Sequence, residues 1–255
     1  MNILFIGDIV AKPGREALVS HLGSLKEQYN VDFVIANAEN SAGGFGITES
    51  NMKELMSAGI DVLTGGNHIW KRKEVLNIID RKELLRPANY PDINPGCGYD
   101  TYMVNDIVIG VLNLQGRVFM DALDSPFTVA ERILEHAKAD IIIVDFHAEA
   151  TSEKIAMSWF LDGRVTALIG THTHVQTSDA RILPMGTGYI TDAGMTGSKS
   201  GVIGVRKDEI LKHFLTGLPF GYKYSTGDVY IEGVLVTADN EKIRCIDIKP
   251  IRIKA

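Results

Sequence analysis

In five segments of this chain, a run of apolar residues is followed by a side chain that can bind a metal ion. These segments read ILFIGD, FVIANAEN, LTGGNH, IIIVDFH and ALIGTHTH. The side chains that could bind a metal belong to Asp8, Glu39, Asn67, His147, His172 and His174. Carboxylate, amide and imidazole donors together suit hard or borderline divalent metals. Two such metals can hold the attacking and leaving oxygens of an in-line displacement at phosphorus. The residue types therefore predict phosphoryl chemistry at a two-metal site.

The position of these residues in the sequence explains how they could meet. Each apolar run reads as a buried strand, and ligands of open α/β sheets bind outside the carboxyl ends of the strands. His172 and His174 give the sharpest local signal. In an extended segment residues i and i+2 project to the same side, so both imidazoles could reach one metal or two adjacent ones. The alternative is two unrelated surface histidines in a turn.

Glu39 is the candidate bridge between the two metals. A carboxylate has two oxygens, and two close divalent cations would repel each other strongly without an anion between them. The alternative role is an ion pair with a lysine at the rim of the site. Asp8 alone could cap a loop or helix, and His147 alone could be a hydrogen-bonded structural residue. Only the whole set favours metal binding for these residues.

Asn67 and His68 are expected to have different roles. The Asn67 amide oxygen is a neutral metal ligand, whereas His68 is free to face the substrate. A histidine titrates near neutrality and can give a proton to a leaving alkoxide. The alternative is that the two glycines and Asn67 form a simple turn, which His68 caps.

The apolar pattern predicts alternating strands and helices, then a β-rich end. Strands are expected at Ile3–Ile6, Phe33–Ala36, Ile60–Leu63, Ile107–Leu112, Ile141–Val144, Ala167–Ile169 and Tyr189–Thr191, with a hairpin of Val229–Val236 and Ile243–Ile248. Helices are expected at Arg15–Tyr29, Thr48–Ser57, Glu74–Ile79, Phe127–Lys138 and Glu153–Leu161. The Pro-rich stretch Arg86–Gly98 and the Gly-rich stretch Ser41–Gly46 predict loops. Met195–Arg206 is expected to be mobile and to border the substrate, with Lys199 and Arg206 as candidate anion contacts.

The bulk composition narrows the class of protein. The 255 residues suffice for one α/β domain spanning residues 1–255, and 45% hydrophobic and 23% charged residues are ordinary for a globular protein. A net charge of −6 argues against a broad basic surface, so no long nucleic acid is expected as partner. The chain has two scattered cysteines, which favours a reducing compartment. It has no signal peptide and no apolar run long enough for a membrane helix. We therefore expect a cytoplasmic protein with no membrane partner. The sequence allows a homo-oligomer.

Taken together, the motifs resemble the calcineurin-like metallophosphoesterases, and within them the bacterial YmdB-type subgroup. The motifs that match are IGDIV, ANAEN, GGNH, DFHAE, GTHTHVQT and YITDAGMTG, which span most of the chain. The resemblance implies a four-layer α/β/β/α sandwich with two mixed sheets. It also implies a dinuclear centre of divalent or trivalent metal ions, with iron favoured over manganese or zinc, and phosphodiesterase action on 2′,3′-cyclic nucleotides.

The chain departs from the general superfamily pattern in ways that the subgroup shares. Val10 stands where the first motif usually has histidine, and Glu39 stands where the second has aspartate. Ile69 follows His68 where an acid is common, and Thr171 separates Gly170 from His172. The missing first-motif histidine puts one ligand in doubt, and Asn40 is the candidate replacement.

The resemblance implies a division of ligands and a mechanism. One metal would be held by Asp8, Glu39, Asn40 and His174, and the other by Glu39, Asn67, His147 and His172. A hydroxide bridging the metals would attack a small cyclic nucleotide such as 2′,3′-cyclic AMP, and His68 would protonate the leaving oxygen.

Four other functions could use some of these residues. The H-x-H-x-D-H pattern of metallo-β-lactamase-type sites is absent, because Val175 and Gln176 follow His174. Amidohydrolase barrels carry H-x-H on their first strand, whereas here it lies two-thirds along the chain. A phosphomonoesterase and a non-catalytic regulatory protein that keeps its metals for structure both stay open.

Overall fold

The computed structural model describes residues 1–219 and 221–255. In this part of the chain the strands are β1 (Asn2–Ile6), β2 (Asp8–Ile9), β3 (Phe33–Asn37), β4 (Val62–Thr64), β5 (Leu84–Leu85), β6 (Tyr99–Val104), β7 (Ile107–Gln115), β8 (Ile141–His147), β9 (Ala167–Thr171), β10 (Arg181–Ile182), β11 (Gly188–Ile190), β12 (Met195–Ser198), β13 (Val229–Ala238) and β14 (Cys245–Lys254). The α-helices are α1 (Ala11–Tyr29), α2 (Glu49–Ser57), α3 (Pro126–Leu134), α4 (Thr151–Leu161) and α5 (Lys207–Thr216).

The strands form two mixed sheets. The first sheet has the order β2-β12-β13-β1-β3-β4-β5, with β14 paired to β13. Its strands β1, β3, β4 and β5 are parallel, and β13 runs antiparallel to both β1 and β12. The second sheet has the order β10-β11-β9-β8-β7-β6, and its four middle strands are parallel. In both sheets the parallel strands present their carboxyl ends at one edge.

Alternation of side chains along the strands builds four layers. In β1, Leu4 points outward and packs with Leu18 of α1, whereas Phe5 points inward. The inward residues of the first sheet share one core with those of the second sheet, such as Ile143. The outer face of the second sheet is covered by α3 and α4, where Met157 is fully buried. The predicted α/β/β/α sandwich with two mixed sheets is confirmed.

Local sequence signals account for most element boundaries. Thr48 caps α2 as predicted, because its hydroxyl accepts a hydrogen bond from the Asn51 amide at 3.3 Å. The segment predicted as a helix at Glu74–Ile79 is instead a 3₁₀ turn at Lys73–Asn77. Both cysteines are free. No described helix, over 1–219 or 221–255, has the length and apolar character needed to cross a lipid bilayer.

The prediction of a mobile segment at Met195–Arg206 is wrong for its first four residues. Met195–Ser198 is the buried strand β12, which pairs with β2 on one side and β13 on the other. Its residues are small or polar, so the segment lacks the apolar pattern of a buried strand. Position 197 favours a glycine because the backbone there packs tightly against Val10. Strand β6 and helix α5 were not predicted either.

Candidate metal centre

The carboxyl ends of strands from both sheets bring the predicted residues to one place. In the first sheet, Asp8 begins β2 just after β1, Glu39 follows β3 by two residues, and Asn67 follows β4 by three. In the second sheet, His147 is the last residue of β8, and His172 comes directly after β9. The site therefore lies on the seam between the two sheets.

One cluster of donor atoms surrounds His147. Its Nε2 atom lies 3.1 Å from Glu39 Oε1, 3.0 Å from Asn67 Oδ1 and 3.0 Å from His172 Nδ1. Glu39, His147 and His172 each offer a ligand atom within 4.8 Å of the others, a spacing that could hold a metal ion. These four residues are the set that the family resemblance implied for one metal.

A second cluster lies on the other side of Glu39. His174 Nε2 is 3.6 Å from Asp8 Oδ1, and the Asn40 amide nitrogen lies 3.2 Å from the same imidazole nitrogen. That amide nitrogen also donates to Asp8 Oδ1 and to Glu39 Oε1, each at 3.3 Å. Glu39 is thus the residue common to both clusters.

The orientation of Asn40 matters for the second cluster. As placed, its Nδ2 occupies the centre and its Oδ1 lies 2.7 Å from His68 Nδ1. An amide nitrogen donates hydrogen bonds and does not ligate a cation, so only rotation of the amide would turn its oxygen toward Asp8 and His174. In the present orientation the –NH₂ group fills the place where a cation would sit.

Burial and charge set the titration of these groups. Burial opposes the charge of Glu39, but His147 outweighs it and holds the pKa of Glu39 well below its ordinary value. For Asp8 burial likewise opposes the charge, and contact with His174 still leaves the pKa lowered. Burial disfavours a charged His147, yet Glu39 raises its pKa to about 9. Burial, helped by the charge of His147, lowers the pKa of His172 to about 3. The site holds two buried carboxylates that attract positive charge.

Each of the three histidines uses one ring nitrogen to contact an outer acceptor. His147 Nδ1 lies 2.9 Å from Thr171 Oγ1, whose hydroxyl donates in turn to Asp145 at 2.6 Å. His174 Nδ1 lies 3.0 Å from the carbonyl of Ile203. An N–H donated outward leaves the other ring nitrogen directed into the clusters, where it can bind a metal once any proton on it is lost. Histidines that ligate metals are oriented in this way by their outer partners.

His172 has its own outer partner in Glu149. The His172 Nε2 atom lies 3.2 Å from Glu149 Oε2, so the Nδ1 lone pair faces His147 and Glu39. Glu149 is about half exposed and comes two residues after His147 in the DFHAE segment. The DFHAE segment was recognised in the sequence as a motif, but no role was predicted for Glu149.

The extended geometry predicted for His172 and His174 is wrong. Both residues follow β9 and have positive φ angles, +104° and +63°. The two imidazoles consequently enter different clusters, His172 beside His147 and His174 beside Asp8. Non-glycine residues at positive φ cost roughly 1–3 kcal/mol each and persist where surrounding contacts fix them.

A buried ion pair fixes the middle of this strained loop. Asp192 Oδ2 accepts hydrogen bonds from the amide and the hydroxyl of Thr173, at 3.1 Å and 2.9 Å. The same oxygen lies 2.8 Å from Lys154 Nζ, and both charged side chains are fully buried. The backbone amide of His172 donates to Asp8 Oδ2 at 3.0 Å. The Lys154–Asp192 pair thereby fixes the backbone position of the two histidines through Thr173, which lies between them.

Removal of one partner of this ion pair should destabilise the folded protein. We expect Lys154→Met to lower the free energy of unfolding by about 3–5 kcal/mol, because it leaves the Asp192 carboxylate buried without a counter-charge. The double variant Lys154→Met/Asp192→Asn should recover part of this loss, since an asparagine oxygen can still accept from Thr173. Urea unfolding of chelator-treated protein measures both. Wild-type stability of the single variant, or a double variant no more stable than the single, would contradict this role.

His68 borders the two clusters, with its Nδ1 atom 3.3 Å from Glu39 Oε1. Its backbone amide donates to Glu39 Oε2 at 2.8 Å, and its Nδ1 contacts Asn40 Oδ1. The edge-on ring of Phe45 lies 4.8 Å from the imidazole. The backbone angles of His68, φ −95° and ψ 0°, fall in the sparsely populated bridge region where many active-site residues lie. The side chain is 22% exposed, so unlike His147 it can reach a substrate.

Several buried polar residues support the site, and sequence reasoning missed them. Asn113 of β7 makes two hydrogen bonds of 3.1 Å to Gly65, which follows a strand of the other sheet. Its side chain accepts from the Gly65 amide and donates to the Gly65 carbonyl. Asn37 donates to Asp145 at 3.0 Å, and Asp145 has its pKa raised to about 6 by burial. The available signal was a polar residue inside an otherwise apolar strand, as in FVIAN or IIIVD. Gly66 is required because a Cβ there would overlap His147 and Glu39.

The two candidate anion contacts are engaged elsewhere. Lys199 Nζ donates to Glu232 at 2.7 Å and to the carbonyl of His174 at 3.3 Å, so it supports the site from behind. Arg206 lies 3.5 Å from Asp208 at the start of α5.

Comparison with known proteins places this geometry in a family. The model of the family described as YmdB-like protein matches residues 4–251. The chain belongs to the YmdB-like family. The predicted resemblance to calcineurin-like metallophosphoesterases of this subgroup is confirmed, and the match extends over essentially the full length of the chain.

Three relatives of this YmdB-like chain are similar over nearly all of their length. A 2′,3′-cyclic-nucleotide 2′-phosphodiesterase of Bacillus subtilis is 44% identical over 99% of this chain and 97% of its own. A solved structure of a hypothetical protein from Thermus thermophilus is 41% identical with a TM-score of 0.96, covering 100% of this chain and 99% of its own. A phosphatase from Mycoplasma pneumoniae is 35% identical with a TM-score of 0.94, covering 100% and 93%.

Proposed function

We propose that this chain hydrolyses small phosphodiesters, with 2′,3′-cyclic nucleotides as the leading substrates, at a dinuclear metal centre. The chain is an enzyme of the phosphodiesterase class by its family relationship. The cyclic-nucleotide substrate is supported by the name of the Bacillus subtilis relative. It is also supported by the net charge of −6, since an acidic chain lacks the basic track that a long polyanion needs.

One observation carries the metal-dependent part of this proposal. The imidazoles of His147, His172 and His174 each contact an outer acceptor with one nitrogen and direct the other toward the two carboxylates. Side chains that served only structure would have no need to direct so many lone pairs at one space. The donors therefore fit a pair of cations.

The donors divide between two metals as follows. We assign Asp8, Glu39, His174 and, after rotation of its amide, Asn40 to one metal. We assign Glu39, Asn67, His147 and His172 to the other. Iron is our first expectation, and manganese or zinc would also suit this mixture of oxygen and nitrogen donors. When bound, the metals would supply an activated water nucleophile and positive charge against the phosphoryl oxygens.

The chain's own residues then have separate tasks. Glu39 keeps negative charge between the two clusters and receives the His68 amide, which fixes the backbone of the proton donor. His68 gives a proton to the leaving ester oxygen. To act as an acid His68 must be an imidazolium, with a proton on each ring nitrogen. Its Nδ1–H would face Glu39 Oε1, which lies 3.3 Å away. The Nε2–H would go to the leaving oxygen, and a neutral imidazole would remain.

A single panel of substrates tests the substrate class. We expect kcat/KM to be highest for 2′,3′-cyclic AMP, at least about tenfold above 3′,5′-cyclic AMP and a nucleoside monophosphate, because the small ring exposes its phosphorus and carries one charge. One metal-loaded preparation, with its metal content measured, serves for all three. A preference for the monophosphate would overturn the diesterase in favour of a phosphomonoesterase. A preference for the 3′,5′ ring would reject only the substrate named here.

The same preparation separates catalysis from a regulatory role. A binding protein that kept its metals for structure would hold two metals and bind a nucleotide without turning it over. Single-turnover hydrolysis of a generic aryl phosphodiester by the metal-loaded protein excludes that alternative.

A further inference from the structure

A cavity of about 460 Å³ opens beside the metal centre. It is lined by two of the proposed metal ligands, Asn67 and His172, and by Phe119, Met120 and Asp121. Its volume lies in the usual range of small-molecule sites. The lining therefore combines proposed metal ligands with residues of different chemistry.

Phe119 is unusual in both its exposure and its backbone. Its side chain is 89% exposed, although burial of a phenyl ring is strongly favoured. Its φ angle is +62°, a region that costs a non-glycine residue free energy. An aromatic ring held in this way at the mouth of a cavity is a ready surface for stacking.

The loop that carries Phe119 is anchored at its base. The amides of Arg117 and Val118 donate to the Glu153 carboxylate of α4 at 3.0–3.2 Å. A Cβ at Gly116 would overlap Glu153 and Ala148, so the loop must leave β7 through a glycine. These contacts set the backbone path that leads to Phe119.

We propose that Phe119 and Asp121 form the nucleobase subsite of this enzyme. The base of a nucleotide whose phosphate lies at the metal centre stacks on Phe119, and Met120 adds an apolar contact. The Asp121 carboxylate can only accept hydrogen bonds, and it would be repelled by the two carbonyl oxygens that flank the N3–H of uracil, so it favours bases with an exocyclic amino group. This inference rests on the proposed function, because it takes the reacting phosphate to lie beside Asn67 and His172.

The test compares a substrate that has a base with one that lacks it. In Phe119→Ala the ratio of kcat/KM for 2′,3′-cyclic AMP to that for glycerol 1,2-cyclic phosphate should fall about 10–100-fold, mostly through KM, as expected for the loss of one stacking contact. Phe119→Trp should keep the ratio. Phe214→Ala is the matched control, because Phe214 is a similarly exposed phenylalanine of α5, outside this loop. An unchanged ratio in Phe119→Ala would overturn the subsite.

Two further measurements keep the subsite separate from the substrate proposal. Calorimetric binding of adenosine 3′-monophosphate needs no turnover and should weaken about 10–100-fold in Phe119→Ala. If the wild-type protein hydrolyses no cyclic nucleotide but Phe119→Ala still weakens the binding of adenosine 3′-monophosphate, the proposed function fails and the subsite stands. Asp121→Asn should reduce the preference for 2′,3′-cyclic AMP over 2′,3′-cyclic UMP, since an amide can also donate to uracil. An unchanged preference would remove Asp121 from the subsite.

Discussion

Replacing Glu39 with glutamine is expected to cost the protein at least one metal ion and nearly all of its activity. The amide keeps the shape of the side chain but removes the charge that lies between the two donor clusters. Two cations without an anion between them repel strongly. Because metal ions supply several kcal/mol of transition-state stabilisation, the loss should be about 10³-fold or more in kcat/KM. Metal content per chain and hydrolysis rate, measured on one sample, test this.

Glu149→Gln is the graded control for Glu39→Gln. Glu149 contacts His172 Nε2 from outside at 3.2 Å and is about half exposed. Loss of such an outer partner costs about 10–100-fold in metal affinity or activity, so the effect should be clearly smaller. Two bound metals and full activity in Glu39→Gln would show that Glu39 does not bridge.

His68→Ala is expected to keep both metals and lose most of its turnover. Its imidazole borders the two donor clusters, where it contacts Glu39, Asn40 and the ring of Phe45. Loss of a general acid typically costs about 10²–10⁴-fold, and this should be seen in kcat for substrates with poor leaving groups. Activated aryl esters need no proton on the leaving oxygen and should suffer less.

The contrast between the two substrate types is the decisive part of the His68 experiment. His136→Ala removes an exposed histidine that follows α3 and serves as the matched control, with unchanged rates expected. If metal content falls together with the activity of His68→Ala, His68 is a ligand and the division of roles is mistaken. If aryl and alkyl esters lose rate equally, His68 does not donate the proton.

The residues of the candidate site were predictable because each follows an apolar strand. Glu39, Asn67 and His147 stand at the ends of runs long enough to be buried, and parallel strands deliver their carboxyl ends to one edge of a sheet. The fold class followed from the same alternation of strands and helices. The element boundaries were less certain, and β12 was missed because Met195–Ser198 has too little apolar character to reveal a buried strand.

What the sequence could not give is the backbone path around the site. The spacing of His172 and His174 predicted an extended pair, yet positive φ angles send the two rings to different clusters. That path depends on Asp192 and Lys154, which are distant in sequence and meet only in the folded chain. The outer partners of the histidines depend on tertiary packing in the same way, so no local pattern marks them.

The pairing of β13 has a consequence for the order in which this protein can be made. Strand β1 pairs on one side with β3, but its other neighbour is β13, so that Asn2 lies opposite Thr237. Strand β2, which contains Asp8, reaches the sheet only through β12 and β13. A ribosome that has released the first two hundred residues has already delivered every proposed metal ligand. The Asp8 side of the centre still cannot close until β13 emerges and inserts. Capture of the proposed metals would therefore be a late event of synthesis, and the growing chain must shield an incomplete sheet edge from its neighbours until then.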